Sequence, residues 1–306
     1  MKRLLYLSIA LFVASFAMAP QCGGGGKTLL VVVNQGAQNL SQIDLATGEV
    51  SDLCPNIRLG TQPNAITIDD GRAYVTNAGS DTLQVIDLAG CALVASIELP
   101  RQPVRCEPWE TVVITQTDPA GNEVKKAYTT CFMSSTVQVS DLQTNEVVTE
   151  IRLPGPDQFH SASPKGIAVF GTKAFVANTG LNQTNFTYGA GTISVIDIET
   201  DTIVDVDDNS NNGNETPMTT TQKNPQGMDI DGAGTLFTAC TGNFTTLQPG
   251  LVDSHNTTSY SPIFAYETDG TPGSVAIADN GKGFAGEAQG GKVYVFDTFA
   301  RSVLRG

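Results

Sequence analysis

Six short alternating runs, each closing on an aspartate, recur along this chain at Asp44, Asp87, Asp141, Asp197, Asp253 and Asp297, 43 to 56 residues apart. Each is of the Leu-Gln-Val-Ile-Asp kind and leads into polar turn residues. A unit of that length made of strands cannot bury both its faces alone and must stack on copies of itself, the pattern of a β-propeller. The predicted fold class is therefore all-β, a propeller of about six four-stranded blades.

The clearest unit runs from Pro63 to Leu99. Ala65-Ile66-Thr67-Ile68 alternates and ends at the tight turn Asp69-Asp70-Gly71. Ala73-Tyr74-Val75-Thr76-Asn77 forms a second strand, Leu83-Gln84-Val85-Ile86 a third closed by Asp87, and Val94-Ala95-Ser96-Ile97 a fourth. The recurring aspartate has a local role, since its carboxylate accepts a backbone N–H two residues on and pins the turn into the fourth strand. Gly48, Asn145 and Asp201 stand four residues after their aspartates, where a positive φ is tolerated.

Tyr74-Val75-Thr76-Asn77 together with Val85-Ile86-Asp87 resembles the YVTN-repeat β-propeller family. The resemblance covers most of 28–306 and recurs at 31–34, 128–131, 175–178, 237–240 and 284–287. Prolines at 63, 103, 164, 225 and 272 lead the expected innermost strands, which makes five of them. The first blade is thus expected to lack its innermost strand, and closing the ring would need one from beyond Gly306, so either the sequence is cut short, the favoured reading, or the first blade makes do with three strands. The resemblance implies a surface or envelope component. It also implies a contrasting activity, because some relatives are lactonases that hold a metal by Glu, Asn and Asp side chains around the channel. The corresponding residues here are Asn34, Asn77, Asn178 and Glu287, one position out from the channel wall.

Residues 1–21 read as an export signal, with Lys2-Arg3 before an apolar run too short to remain as a membrane span. Cys22 then resembles a lipoprotein start, with Gln21 departing from the small residue usual there. Residues 22–27 form a glycine-rich tether and 28–306 the propeller. Plain secretion is the alternative. Both readings place the protein outside the cytoplasm, in the periplasm or at the cell surface, and under the first a lipid anchor is its link to the membrane. A net charge of −14 repels phosphate backbones and excludes nucleic acid as a natural partner.

Export permits disulfides, and no Cys-x-x-Cys spacing suggests a metal or haem. Cys106 and Cys131 fall opposite each other in the first two strands of one blade. Cys54 at a fourth strand and Cys91 in the next blade's turn share the outer rim. Two bonds are predicted, Cys106–Cys131 and Cys54–Cys91, with Cys240 left over and buried.

Connections longer than a turn cluster in blades three to five, at 154–163, 179–191, 208–224 and 242–250, all expected on one face. They carry Phe159, His160, Asn185, Phe186, Tyr188 and Phe244 among small polar residues. Aromatic tips with amide and hydroxyl neighbours suit a carbohydrate, a peptide or an envelope protein. The acidic run from Asp205 to Glu215 offers Asp207, Asn209, Asn211 and Glu215 as oxygen ligands for Ca2+, although Asn212 stands where an EF-hand loop needs glycine. Otherwise no cofactor is expected. The chain has two histidines, His160 and His255, expected on opposite faces, with His255 in a third-to-fourth turn. Trp109 lies in a stretch, 104–124, read as an insertion and is expected to pack. No convergent nucleophile or acid–base set stands out. The leading expectation is a non-enzymatic binding module acting through the loop-bearing face, and the contrasting one a calcium-assisted lactonase or esterase at the channel mouth.

Overall fold

The structure is a computed structural model that describes residues 28–117, 120–207, 215–243 and 248–305. Among these there is no helix, and the strands form six sheets arranged as propeller blades. Blade one has three strands, β1 (Leu29–Asn34), β2 (Asn39–Asp44) and β3 (Val50–Leu53). Blade two has β4 (Pro63–Asp69), β5 (Arg72–Asn77), β6 (Thr82–Asp87) and β7 (Ala92–Glu98). Blade three has β8 (Pro108–Thr117), β9 (Glu123–Cys131), β10 (Thr136–Asp141) and β11 (Glu146–Arg152). Blade four has β12 (Pro164–Phe170), β13 (Lys173–Asn178), β14 (Thr192–Asp197), β15 (Thr202–Val204) and a short β16 (Met218–Thr219) that also pairs with β14. Blade five has β17 (Pro225–Ile230), β18 (Thr235–Cys240), β19 (Leu251–Asn256) and β20 (Pro262–Glu267). Blade six has β21 (Pro272–Ile277), β22 (Lys282–Glu287), β23 (Val293–Asp297) and β24 (Ser302–Arg305). All pairings are antiparallel and, except for β14 with β16, join chain neighbours.

The aspartate turns form as expected. Asp44, Asp141, Asp197 and Asp297 each accept the N–H two residues on, at 2.9, 2.7, 2.9 and 3.0 Å. Blade five corrects the repeat register, because Asn256 closes its turn, accepting from Thr258 and Ser259. Asp253 lies three residues earlier, inside β19 and 2% exposed. His255 is likewise buried in that strand and not in the turn. The residue four places after each true turn residue has positive φ, namely Gly48, Cys91, Asn145, Asp201, Tyr260 and Arg301.

Two further corrections concern blade three. Its innermost strand is led by Pro108 and not Pro103, and β8 and β9 pair from Pro108–Cys131 to Thr117–Glu123 instead of forming an insertion, which puts Trp109 on the channel wall. Cys54 follows β3 instead of beginning it. Both predicted disulfides, Cys54–Cys91 and Cys106–Cys131, are formed, and Cys240 is free and buried.

Blades pack by interleaving the forward face of one sheet with the rear face of the next. Tyr74, Leu83 and Val85 of blade two meet Ala127 of blade three, and Tyr128, Val137 and Val139 of blade three meet Ala174 and Val176 of blade four. The inner strands come so close that a methyl group at Gly166 would run into the Gln226 carbonyl oxygen. The forward aromatic is at most 1% exposed at Tyr74, Tyr128, Phe175 and Phe237, yet Phe284 of blade six is 42% exposed. Val293, whose counterparts Leu83, Val137, Ile193 and Val252 are at 0%, is 56% exposed. The forward face of blade six therefore lacks the cover that every other blade receives.

Candidate binding site on the loop-bearing face and channel mouth

Three of the long connections converge. The 153–163 segment docks on 179–191 through Ser161 N–H to Leu181 O and Gly180 N–H to Ala162 O. The second segment meets the approach to β17, where Lys223 Nζ donates to Tyr188 O at 2.9 Å. Burial raises the Tyr188 pKa, with Asn224 opposing it. His160 packs against Gly189 and Pro156, and its Nδ1 lies 2.8 Å from both Asp157 oxygens. That bond is the main cause holding the Asp157 carboxyl below its ordinary range. Asn185 spends its oxygen inside its own loop, on the Thr187 N–H and hydroxyl. Phe159 and Phe186 point outward, 68% and 66% exposed. Five of the six expected binding residues thus lie on one connected loop surface, and Phe244 falls outside the described residues.

The channel mouth beside these loops carries groups that the sequence reading passed over. In blades two to six the residue after the leading proline sits at the mouth, giving Asn64, Trp109, Lys165, Gln226 and Gly273. The Lys165 ammonium lies 4.1 Å from the Trp109 ring centre and 5.6 Å from that of Phe132, and donates to Gln226 Oε1 at 3.1 Å. Gln226 is oriented in turn by donating to Asn224 Oδ1 at 3.3 Å. Burial brings the Lys165 pKa down to about 8, against the opposing field of Glu107. Deeper in the wall, Glu110 accepts from Ile167 N–H at 3.3 Å and Asp229 from Ile277 N–H at 2.7 Å, so each carboxylate satisfies an open strand edge of the next blade. Burial pushes Glu110 up to about 7, aided by the Asp229 charge, and burial also raises Asp229. The sequence signal for this set was a polar side chain breaking apolar alternation just after a blade-leading proline.

The amide nitrogens at the positions that correspond to lactonase metal ligands are spent on their own blades. Asn34 donates to Asn39 and Ser41, Asn77 to Thr82 and Gln84, and Asn178 to Thr192 and Ser194, each across its own hairpin. Glu287 accepts from Thr271 N–H and Lys292 N–H, both at 3.4 Å, as a cap on its strand. Of the Ca2+ candidates, Asn209 and Asn211 lie outside the described residues. Asp207 and Glu215 are described, and no three His, Cys, Asp or Glu side chains gather as a metal site among the described residues.

In blade five the hairpin amide is replaced by Cys240 and its partner by Asp253, 3.8 Å apart. Asp253 also accepts from Thr221 N–H at 2.6 Å, and His255 Nε2 bonds Thr219 O at 3.2 Å, which ties the incoming chain to β19. The cluster is closed to solvent, and burial pushes the Cys240 thiol up and the His255 imidazole down. It is a structural tie, since a thiol so raised is a poor nucleophile.

No protein-family model and no curated protein matches the chain. Among solved structures, hydrazine synthase of Kuenenia stuttgartiensis aligns with a TM-score of 0.62 at 17% identity, over 88% of this chain and 73% of that one. A chain of the mitotic checkpoint complex aligns with a TM-score of 0.62 at 10% identity, over 91% of this chain and 73% of that one. Dihydro-heme d1 dehydrogenase NirN, in complex with DHE, aligns with a TM-score of 0.50 at 14% identity, over 79% of this chain and 45% of that one. At such identities the likeness is one of fold, and it establishes this chain as a propeller.

Proposed function

We propose that this protein is an exported, envelope-anchored propeller of YVTN type that binds a carbohydrate, a peptide or an envelope protein through the loop-bearing face of blades three to five, without catalysis. The observation that carries this reading is the convergence of 153–163, 179–191 and 220–224 on one surface, with Phe159 and Phe186 exposed at its tips beside the channel mouth. Exposed aromatics held on hydrogen-bonded loops bury area on contact at low ordering cost. The two disulfides support export, and the hairpin role of Asn34, Asn77 and Asn178 supports the YVTN reading. The reading calls for no cofactor.

The test is binding to glycan and peptide arrays and to envelope extracts, comparing the unaltered protein with a Phe159→Ser/Phe186→Ser double variant. Both positions are exposed, so the variant retains the fold. Loss of binding in that variant, with binding kept in a Leu45→Ser/Phe299→Ser control on the turn-bearing face, is the expected result. Equal loss in both variants, or binding unaffected in either, would refute the assignment of the face. Chelator-sensitive hydrolysis of simple lactones would replace it with the enzymatic reading.

A further inference from the structure

We infer that the mouth of the central channel holds a carboxylate-binding subsite in which the Lys165 ammonium, braced by Trp109, Phe132 and Gln226, takes a monoanionic group of the ligand. The inference rests on the binding role of the adjoining face and adds to it the chemistry of the group received.

Lys165, on an innermost strand, differs from the lysines of the second strands. Lys125, Lys126, Lys173 and Lys282 each reach a carboxylate at 2.5–2.7 Å. Lys165 has no carboxylate at ion-pair distance among the described residues, and Gln226 Oε1 is its one hydrogen-bond acceptor. An ammonium has three donors, so two are unspent. A cation drawn into a wall without an anion has lost hydration that an aromatic face restores only in part. A ligand carboxylate would restore it with charge-assisted hydrogen bonds.

The site is also built. Gln226 is locked by Asn224, which is fully buried, and the carbonyl of Lys165 itself accepts from the Thr130 hydroxyl at 2.7 Å. Trp109 and Phe132 stand 5.6 Å apart between ring centres, an apolar rim for the ligand's carbon body. The surrounding charge selects among anions. Glu107 is near enough to act on Lys165, and Glu110 and Asp229 lie further down the wall. In that field a singly charged carboxylate is tolerated and a dianion is repelled.

Trp109 is the chain's one tryptophan, so its fluorescence reports this site directly. The protein is titrated with glucuronate and with N-acetyl-leucine, as a sugar acid and an amino-acid carboxylate, against glucose and N-acetyl-leucinamide as uncharged counterparts and inorganic phosphate as a dianion. A saturable change with at least one acid, absent with its uncharged counterpart and weaker with phosphate, is expected. Lys165→Met should lower that affinity at least tenfold, while Lys165→Arg keeps it within about threefold, which separates lost charge from lost fold. The inference is overturned if no acid perturbs Trp109, if acid and neutral counterpart act alike, if phosphate binds more tightly, or if Lys165→Met binds as the unaltered protein does. Such a failure leaves the array result with Phe159 and Phe186 standing, so the two readings fail separately.

Discussion

Replacing Glu110 by glutamine removes one carboxylate from the channel wall while leaving an oxygen to accept the Ile167 N–H. The unfolded chain should titrate this group near 4.5, and the folded protein near about 7, chiefly because of burial. Between those values the folded state binds more protons than the unfolded one. Its contribution to stability is therefore full below pH 4.5 and is lost as pH rises through 7. At about 1.4 kcal/mol per pH unit, the whole span gives an upper figure of about 3 kcal/mol. Glu110 is half-buried in the channel wall, so the measurable part is about 1–3 kcal/mol. Urea unfolding followed by circular dichroism at pH 4.5, 6, 7 and 8 should show Glu110→Gln equal to the unaltered protein at the lowest pH and more stable by that amount at pH 8. An exposed change of the same charge, Glu49→Gln, controls for general repulsion on a chain of net charge −14. A gain independent of pH, or one matched by Glu49→Gln, would refute the reasoning.

Asn178→Ala should cost about 2 kcal/mol in urea unfolding, because it strands the buried Thr192 and Ser194 hydroxyls. Phe175→Ala should cost about 3–4 kcal/mol and Phe284→Ala about 1 kcal/mol, since Phe175 is at 0% exposure and Phe284 at 42%; equal costs would mean that blade six is covered in solution. Serine at both Cys54 and Cys91 should lower stability by about 2–4 kcal/mol, by freeing a link across 37 residues, and the loss should match that on reduction of this bond. His255 is buried neutral with a lowered pKa, so the unfolded state binds the extra proton and stability falls as pH drops from 6.5 toward the folded value. His255→Gln, which still donates to Thr219 O, should flatten that acid limb, and an unchanged slope would assign it to other groups.

Repetition made much of the fold legible in the sequence. Asp44, Asp87, Asp141 and Asp297 marked turns because each does the same local job with its own backbone, a contact that sequence spacing encodes. Blade five misled because Asn256 performs that job equally well, so the nearest aspartate, Asp253, was read in its place. Pro103 was taken for Pro108 because both precede alternating residues, and the pairing of Pro108 with Cys131 separates them. The cysteine pairs were readable since position within the repeat brings each pair together, Cys106 beside Cys131 in one blade and Cys54 and Cys91 on a shared outer rim. Of the candidate site, the loops were visible as breaks in the period, whereas Lys165, Gln226, Glu110 and Asp229 looked like ordinary polar positions.

The sequence by itself determined the four-stranded repeat, the turn chemistry and the alternation of buried faces, since all of these are local or periodic. The tertiary structure alone decided which side chains from different blades meet. Lys165 lies 56 residues from Trp109 and 61 from Gln226, yet all three share one mouth because stacked sheets bring equivalent positions together. The partners of a buried charge, and hence its pKa and its need for an anion, depend on that stacking and on the water it excludes, which no single repeat contains.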